Sequence, residues 1–521
     1  MKKLFLLIFF LPGIINSQTV FQKTYSDGQN ISFSDAVATS DGGYIAEGQS
    51  GDSTIGHLIL KLDANGAVIW SKKISTWSVG ETMGRIGESG DGGYFACGIS
   101  ADSNYFGCLN MVKLDNAGNI LWNKAYNAGS GRSLSRASCR QNSSGDFFLS
   151  AEMGDSLGEF LFVAKTDQNG ELLWSKSVTD TLYQKNYCFD VEYCDDGGCI
   201  VVGEISYTYA YAAKLDSAGS VEWAKRYSPQ AGGILTGEGI TRSSGNCFLI
   251  TGKYNFGSIH CPFVMKIDIT GNVVWGKYYT STGNLTYGHD IETTSDNGFV
   301  VLTSQYQVGS SEFIELIKLD SLGKNGWGKF YYLSPYPWML QCGLHTTPDA
   351  GYIIAATLPQ DAIGSLPKGY LIKTDSSAST YCYDAPDVIT DSPLSIAYDT
   401  PLLELAGGSV IHHIHTETIS GVSVSTNCSL NAGLTESESG GSGYSVYPNP
   451  VISSVTFSFQ NLPADGERTL EILDISGRTL SKNNFQADSF ILERNGLAAG
   501  IYFWRLNCPY LPSLSGKLIV Q

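Results

Sequence analysis

Residues 113–124 read KLDNAGNILWNK, a Lys-x-Asp triplet, a turn and a Trp-x-Lys strand, and the same order returns along the chain. The triplet lysines are Lys61, Lys113, Lys165, Lys214, Lys266, Lys318 and Lys373, at steps of 52, 52, 49, 52, 52 and 55 residues. The strands behind them carry Trp70-x-Lys72, Trp122-x-Lys124, Trp174-x-Lys176, Trp223-x-Lys225, Trp275-x-Lys277 and Trp327-x-Lys329. The seventh triplet has none; the chain there runs SSASTYCYDA. The missing copy stands at the other end, as Phe21-x-Lys23. An open array has no reason to begin with an orphan last strand. A ring does, because that strand completes the final unit.

Each unit also holds two earlier strands joined by a second turn, Asp41-Gly42-Gly43 in the first and Asp91-Gly92-Gly93 in the second. In both turns an Asp caps backbone N–H groups and a glycine takes the positive-φ position. Four short strands at a period of ~50 residues are the pattern of a propeller. The predicted fold is all-β: a seven-bladed β-propeller closed by the N-terminal strand, then a small C-terminal β-sandwich. The expected divisions are a signal peptide over 1–17, the propeller over 18–383, a β-rich extension over 384–434, a linker over 435–443 and a final domain over 444–521.

The opening residues carry Lys2 and Lys3 and then an apolar run from Leu4 to Leu11, the form of a cleaved export signal. That run is too short to span a bilayer, and no other segment approaches the length required. A net charge of −17 argues against nucleic acid as a partner. The twelve cysteines can oxidise after export. Cys97 with Cys108 and Cys194 with Cys199 flank hairpins, and Cys382 with Cys428 could tie down the extension, but spacing alone leaves the connectivity open.

The repeated Asp, Trp and Lys residues are read as turn and packing devices, since a catalytic lysine occurs once, not seven times. One Asp per turn is too sparse for calcium. His412, His413 and His415 form the only histidine cluster, and at most two of them share a strand face, so no metal and no cofactor is expected. The loops on the other face vary and are aromatic. A ligand surface is expected there, from Trp77, Tyr105, Tyr183, Tyr187, Tyr207, Tyr209, Tyr254, Tyr287, Tyr336 and Trp338. Six residues before the turn Asp, three units place Asp35, Asp190 and Asp290, with Arg85 equivalent in the second. These line the expected channel, with His289 and Glu292 close by, as a polar ligand site or as ordinary wet channel residues. No catalytic motif stands out. The expected activity is glycan or protein binding. The alternatives are a polysaccharide hydrolase or lyase using Asp190 and Asp290, and a structural surface or adhesion protein.

The D-x-x-G-x-x-x-W core resembles the blade motif of pyrroloquinoline-quinone-type propellers, and the DGGY turn resembles kelch repeats. The whole resembles secreted bacterial propellers with DGGY and KLD…W repeats. The C-terminus is more specific. Pro448-Asn449-Pro450, Asp474-x-x-Gly477-Arg478, Gly500-x-Tyr502 and Lys517 in the closing strand resemble the type IX secretion sorting domain. That resemblance implies a small β-sandwich read by the type IX secretion machinery at the outer membrane. It also implies removal of the domain near the linker, and attachment of the mature protein to surface lipopolysaccharide. The segment Cys508 to Ser515 departs from the pattern and is expected to lengthen a hairpin.

Overall fold

A computed structural model describes residues 18–520, except 52–55, 75–83, 102–105, 130, 157, 180–184, 282–285, 307–311, 332–341, 359–365, 382–383, 400–402, 407–408, 412–415, 418–422, 431–443, 448–450, 452, 460–467, 475–477, 488, 495–496, 499 and 509–510. The signal peptide, the linker and the histidine cluster lie outside the described residues. The elements are all strands, and no helix among the described residues is long and apolar enough to cross a membrane. The chain divides into two compact units, Met1–Gly433 and Leu434–Gln521.

Among the described residues, the first unit holds seven five-stranded sheets. The first strands of sheets 1 to 7 are Ile31–Ala38, Ile86–Glu88, Ser133–Gln141, Asn186–Tyr193, Ile234–Ser243, Thr286–Thr293 and Gly343–Thr346. Each sheet packs on the next, and the strand Ile31–Ala38 of sheet 1 packs on Tyr352–Leu358 of sheet 7, so the arrangement is propeller-like. The strand Val20–Ser26 enters sheet 7 as its fourth strand, with Lys23 opposite Leu371.

The repeat residues explain how neighbouring sheets hold together. Tyr126, four residues after Trp122, donates its hydroxyl to the Gly170 carbonyl of the next sheet at 2.8 Å. Lys124 donates to the carbonyl of Asn169 at 2.6 Å, in the same turn. The Trp122 ring lies on Gly170, where a Cβ would stand 2.9 Å from it and φ is +73°. The glycine is needed there twice over, for the turn and for the close approach. The N-terminal strand repeats this set: Phe21 covers Gly66, and Tyr25 donates to the Gly66 carbonyl at 2.7 Å. Phe21 therefore does in sheet 7 what Trp does in the other sheets.

The triplet lysines point inward within their own sheet. Lys61, Lys113, Lys214, Lys318 and Lys373 pair with the turn aspartates Asp41, Asp91, Asp196, Asp296 and Asp349 at 2.8, 2.7, 2.6, 2.8 and 2.8 Å. In sheet 3, whose turn reads SSGD, Asp146 takes the role with Lys165 at 3.1 Å.

The extension after residue 383 forms a belt. Asp384–Asp387 pairs on sheet 6, Thr390–Pro393 on sheet 5, Ile396–Asp399 on sheet 4 and Leu403–Ala406 on sheet 3. Ser409–Ile411 follows on sheet 2, Thr416–Glu417 on sheet 1, and Ser423–Leu430 on Val20–Ser26 in sheet 7. The segment thus runs backwards past every sheet and gives each one its fifth strand.

The candidate pairs Cys97 with Cys108 and Cys194 with Cys199 are not formed. Cys97, Cys108, Cys194 and Cys199 are free thiols. Cys97 stands opposite Met111 and Cys108 opposite Ser100, so the first two sit at different levels of one hairpin. Cys382 lies outside the described residues, and Cys428 lies in the last belt strand opposite Gln22.

The second unit has a three-stranded and a four-stranded sheet. Val455 and Phe457 from one share a buried core with Leu470, Ile472, Trp504, Leu506 and Leu518 from the other. Asp474 clasps its turn, with Arg478 Nε at 3.0 Å and the Arg478 amide at 3.1 Å. Gly500 stands opposite Val520 and Phe503 opposite Lys517. The Tyr502 hydroxyl donates to the Ala498 carbonyl at 2.9 Å. The segment from Cys508 does lengthen a hairpin: Gly500–Cys508 pairs with Leu511–Val520 to its tip. Pro448, Asn449, Pro450 and Gly477 lie outside the described residues.

Candidate functional site

Arg85, just ahead of Ile86 in sheet 2, reaches Asp290 of sheet 6 at 2.6 and 3.1 Å. Asp35, Asp190 and Asp290 meet there, and all three are buried. Each follows a register shift in its strand, after Phe33, Cys188 and Gly288. The bulge lets the side chain turn to the next sheet. Asp35 accepts the Ile86 amide at 3.0 Å, Asp190 the Ile240 amide at 3.3 Å and Asp290 the Leu344 amide at 3.1 Å. Each aspartate therefore pins its sheet to the next one.

Cations complete the set. Arg85 stands 3.5 Å from Asp190 and 3.9 Å from Asp35. Arg140 reaches Asp190 at 3.3 Å, and His345 bridges Asp35 at 2.9 Å and Glu292 at 3.0 Å. Burial works to raise the Asp35 pKa, but His345 and Arg85 bring it down to about 2. Burial works to lower that of His345, but Asp35 and Glu292 lift it to about 10. Their oxygens already hold amides, two arginines and an imidazolium. Among the described residues no group of three or more His, Cys, Asp or Glu side chains is placed to hold a metal ion.

The variable-loop side is built differently. Arg136, on the bulge of sheet 3, takes φ 52°, and its guanidinium covers the rings of Phe189 at 4.7 Å and Tyr187 at 5.9 Å. It also lies 3.5 Å from Glu152. Tyr187 and Tyr207 face each other with ring centroids 4.9 Å apart and their hydroxyls in contact. Ser206 and Tyr207 form the tip of a tight turn at φ 52° and 55°, an unfavourable conformation for side chains of that size. Tyr207 is 53% exposed there, with the Lys185 ammonium 5.4 Å from its ring. Beside this cluster lies a cleft of about 550 Å³, lined by Phe106, Ser133, Asp155, Glu159 and Lys185 among others.

Farther round, the Ser304 hydroxyl meets His289 Nε2 at 2.6 Å, and His289 Nδ1 meets Glu238 at 3.2 Å. Glu204, buried nearby, is pushed up to about 7 by burial and by Glu238, with Lys253 and Arg136 opposing.

Of the expected ligand aromatics, Trp77, Tyr105, Tyr183, Tyr336 and Trp338 lie outside the described residues. The structure brings Tyr187 and Tyr207 together, with Tyr187 buried beneath. Tyr209 is half-buried under Arg226 at 5.7 Å, and Tyr287 under Lys253 at 5.3 Å. Tyr254 is corrected: it is 4% exposed, packed on Tyr278 in the core of sheets 4 and 5. Its strand, Cys247–Phe256, runs straight through the segment that composition marks as a loop. Sequence reasoning missed Arg136, Lys185, Arg140, His345 and Ser304. Arg136 and Arg140 had a signal, as unrepeated charges on a first strand.

Residues 445–521 match the family described as Secretion system C-terminal sorting domain. The tail marks the chain for type IX secretion, and the protein is exported to the cell surface or beyond it. No curated protein matches the sequence. Among solved structures, one match is the extracellular domain of a hybrid two component system from B. thetaiotaomicron, at 10% identity and TM-score 0.36, covering 95% of this chain and 57% of that one. This chain thus spans just over half of that relative's length. Polysaccharide lyase Uly1 matches at 10% identity and TM-score 0.40, over 68% of this chain and 99% of that one. YCF48 from Cyanidioschyzon merolae matches at 10% and 0.38, over 69% and 100%. Likeness at this level carries neither ligand nor activity.

Proposed function

We propose that the mature protein is a closed seven-bladed β-propeller that binds a glycan or protein ligand through its variable-loop face. The signal peptide spans 1–17, the propeller 18–383, the belt 384–434 and a linker 435–443. A β-sandwich over 444–521 directs type IX secretion, is removed in export, and leaves the ring to be attached to surface lipopolysaccharide. The single supporting observation is the exposed Tyr207, held at positive φ between Tyr187 and Lys185 beside the cleft. An exposed ring kept in an unfavourable backbone state needs a compensating use, and stacking on a sugar or an apolar side chain is one. The loops bearing Trp77, Tyr105, Tyr183, Tyr336 and Trp338 belong to the same face in this reading. Screening the mature ring on a glycan array tests it. Tyr207→Ala and Lys185→Ala should each lower retained signal about tenfold or more with an unchanged melting temperature, about 1.4 kcal/mol of binding. Full binding by both variants would refute the site.

A second reading, hydrolysis of an ester-bearing polysaccharide, is favoured by one observation. Ser304, His289 and Glu238 have the order and spacing of nucleophile, base and orienting carboxylate. A fluorophosphonate should then label Ser304 in the native protein and not in His289→Gln. An unlabelled native serine would eliminate the reading.

A further inference from the structure

Cys97 and Cys139 come from different sheets and meet at one carbonyl. The Cys97 amide, in the strand Tyr94–Ala101 of sheet 2, donates to the Arg85 oxygen at 2.9 Å. The Cys139 thiol, in the first strand of sheet 3, donates to the same oxygen at 3.7 Å. Both side chains are buried in one core that the two sheets share. The backbones approach closely here: a Cβ on Gly84 would stand 2.3 Å from the Cys97 carbonyl and 3.1 Å from that of Ala137. The repeat makes the same juxtaposition at other boundaries. Cys97 stands across from Arg85, and Cys139 directly follows Ser138, the counterpart of Arg85 in sheet 3; each lies four residues ahead of the residue that opens its turn, Ser89 and Asn142. Side chains at the same two positions share a core in three more places: Val202 with Ile240, Leu302 with Leu344, and Ala355 with Ala36. Apolar side chains there can only pack, whereas two thiols can also join.

We propose that Cys97 and Cys139 form a disulfide in the exported protein, stapling sheet 2 to sheet 3 beside Arg85. Both are free thiols in this structure, which is the reduced form. Export takes the chain into an oxidising compartment, where such bonds form and persist. One cysteine thiolate attacks the disulfide of an envelope thiol oxidoreductase and gives a mixed disulfide; the second thiolate then displaces the oxidant's sulfur. The two cysteines lose two protons and two electrons, and the oxidant's disulfide leaves as a dithiol. Burial first, and then a hydrogen bond with Cys97, hold the Cys139 thiol well above its usual pKa. The folded pair is therefore closed to exchange, and the bond forms while the two sheets dock. It falls where backbone pairing is scant, since the first strand of sheet 2 has three residues, the fewest of the seven among the described residues.

Peptide mapping of the exported protein, alkylated in denaturant without reductant, tests the staple. The peptides bearing Cys97 and Cys139 should be recovered as one species, unalkylated and lighter by two hydrogen atoms than their sum, and reductant should separate them. Cys108, Cys194, Cys199 and Cys261 should be alkylated in the same sample. Cys97→Ser should leave Cys139 open to alkylation and should melt a few degrees below the native protein, with a smaller gap once reductant is present. Alkylation of both Cys97 and Cys139 in the unreduced native protein, or a bond from Cys97 to a different cysteine, overturns the proposal. The mapping needs no variant, so it decides even where Cys97→Ser does not fold.

Discussion

At the scale of single residues, the Arg85 cluster shows how a buried charge is made tolerable. Arg85 touches aspartates from three sheets. Removing one partner from a buried ionic set costs more than the set contributes, because the others are left uncompensated. Arg85→Met should therefore lower stability at pH 7 by about 3 kcal/mol, read by urea unfolding. The loss should shrink at pH 4. In the native protein Asp35 and Asp290 are held below the usual carboxylate pKa by their cations, against burial, so their contribution is present above that value and disappears as pH falls through the folded one. Without Arg85 the folded pKa values rise, and protonation in mild acid relieves the repulsion. Equal losses at both pH values would show that the arginine acts by packing alone. The aspartates were legible in the sequence because they recur six residues before a turn. His345 was not, because its partners Asp35 and Glu292 come from the two neighbouring sheets.

At the scale of elements, the strands with Trp122-x-Lys124-x-Tyr126 and Trp223-x-Lys225-x-Tyr227 dock on the Asp-x-x-Gly turn of the next sheet. The ring, the ammonium and the hydroxyl all act on one turn, which is why spacing within the repeat reported contacts between repeats. The N-terminal strand keeps Phe21, Lys23 and Tyr25 at the same offsets and makes the same ring and hydroxyl contacts. The belt gave no such signal. Its strands begin at 384, 390, 396, 403, 409, 416 and 423, steps of 6, 6, 7, 6, 7 and 7 residues. Most are two to four residues long, so alternation marked the segment as β-rich without showing which sheet each strand would join. They form because an existing strand edge supplies the partner, and the first three bring ion-pair anchors. Asp399, for example, accepts two bonds from Arg226 at 2.7 Å each.

At the scale of the whole molecule, the seven sheets leave few open edges, since the belt covers the outer edge of each. The sorting unit has its own core, to which the closing strand contributes Leu518 and Val520. Deleting residues 516–521 removes both and should leave the protein in the periplasm, as read by cell fractionation; normal surface export of the truncated chain would refute a sorting role for that strand. The sequence by itself determined the number of repeats, the turns, the place of the N-terminal strand and the sorting tail. These rest on local chemistry repeated at fixed offsets. Only the tertiary structure decided that the buried acids are neutralised, that Tyr254 is core while Tyr207 is surface, and that the extension runs past every sheet. Each of those depends on which side chain of a distant strand arrives opposite, and a charge or an aromatic ring has no fixed meaning until its partner is in place.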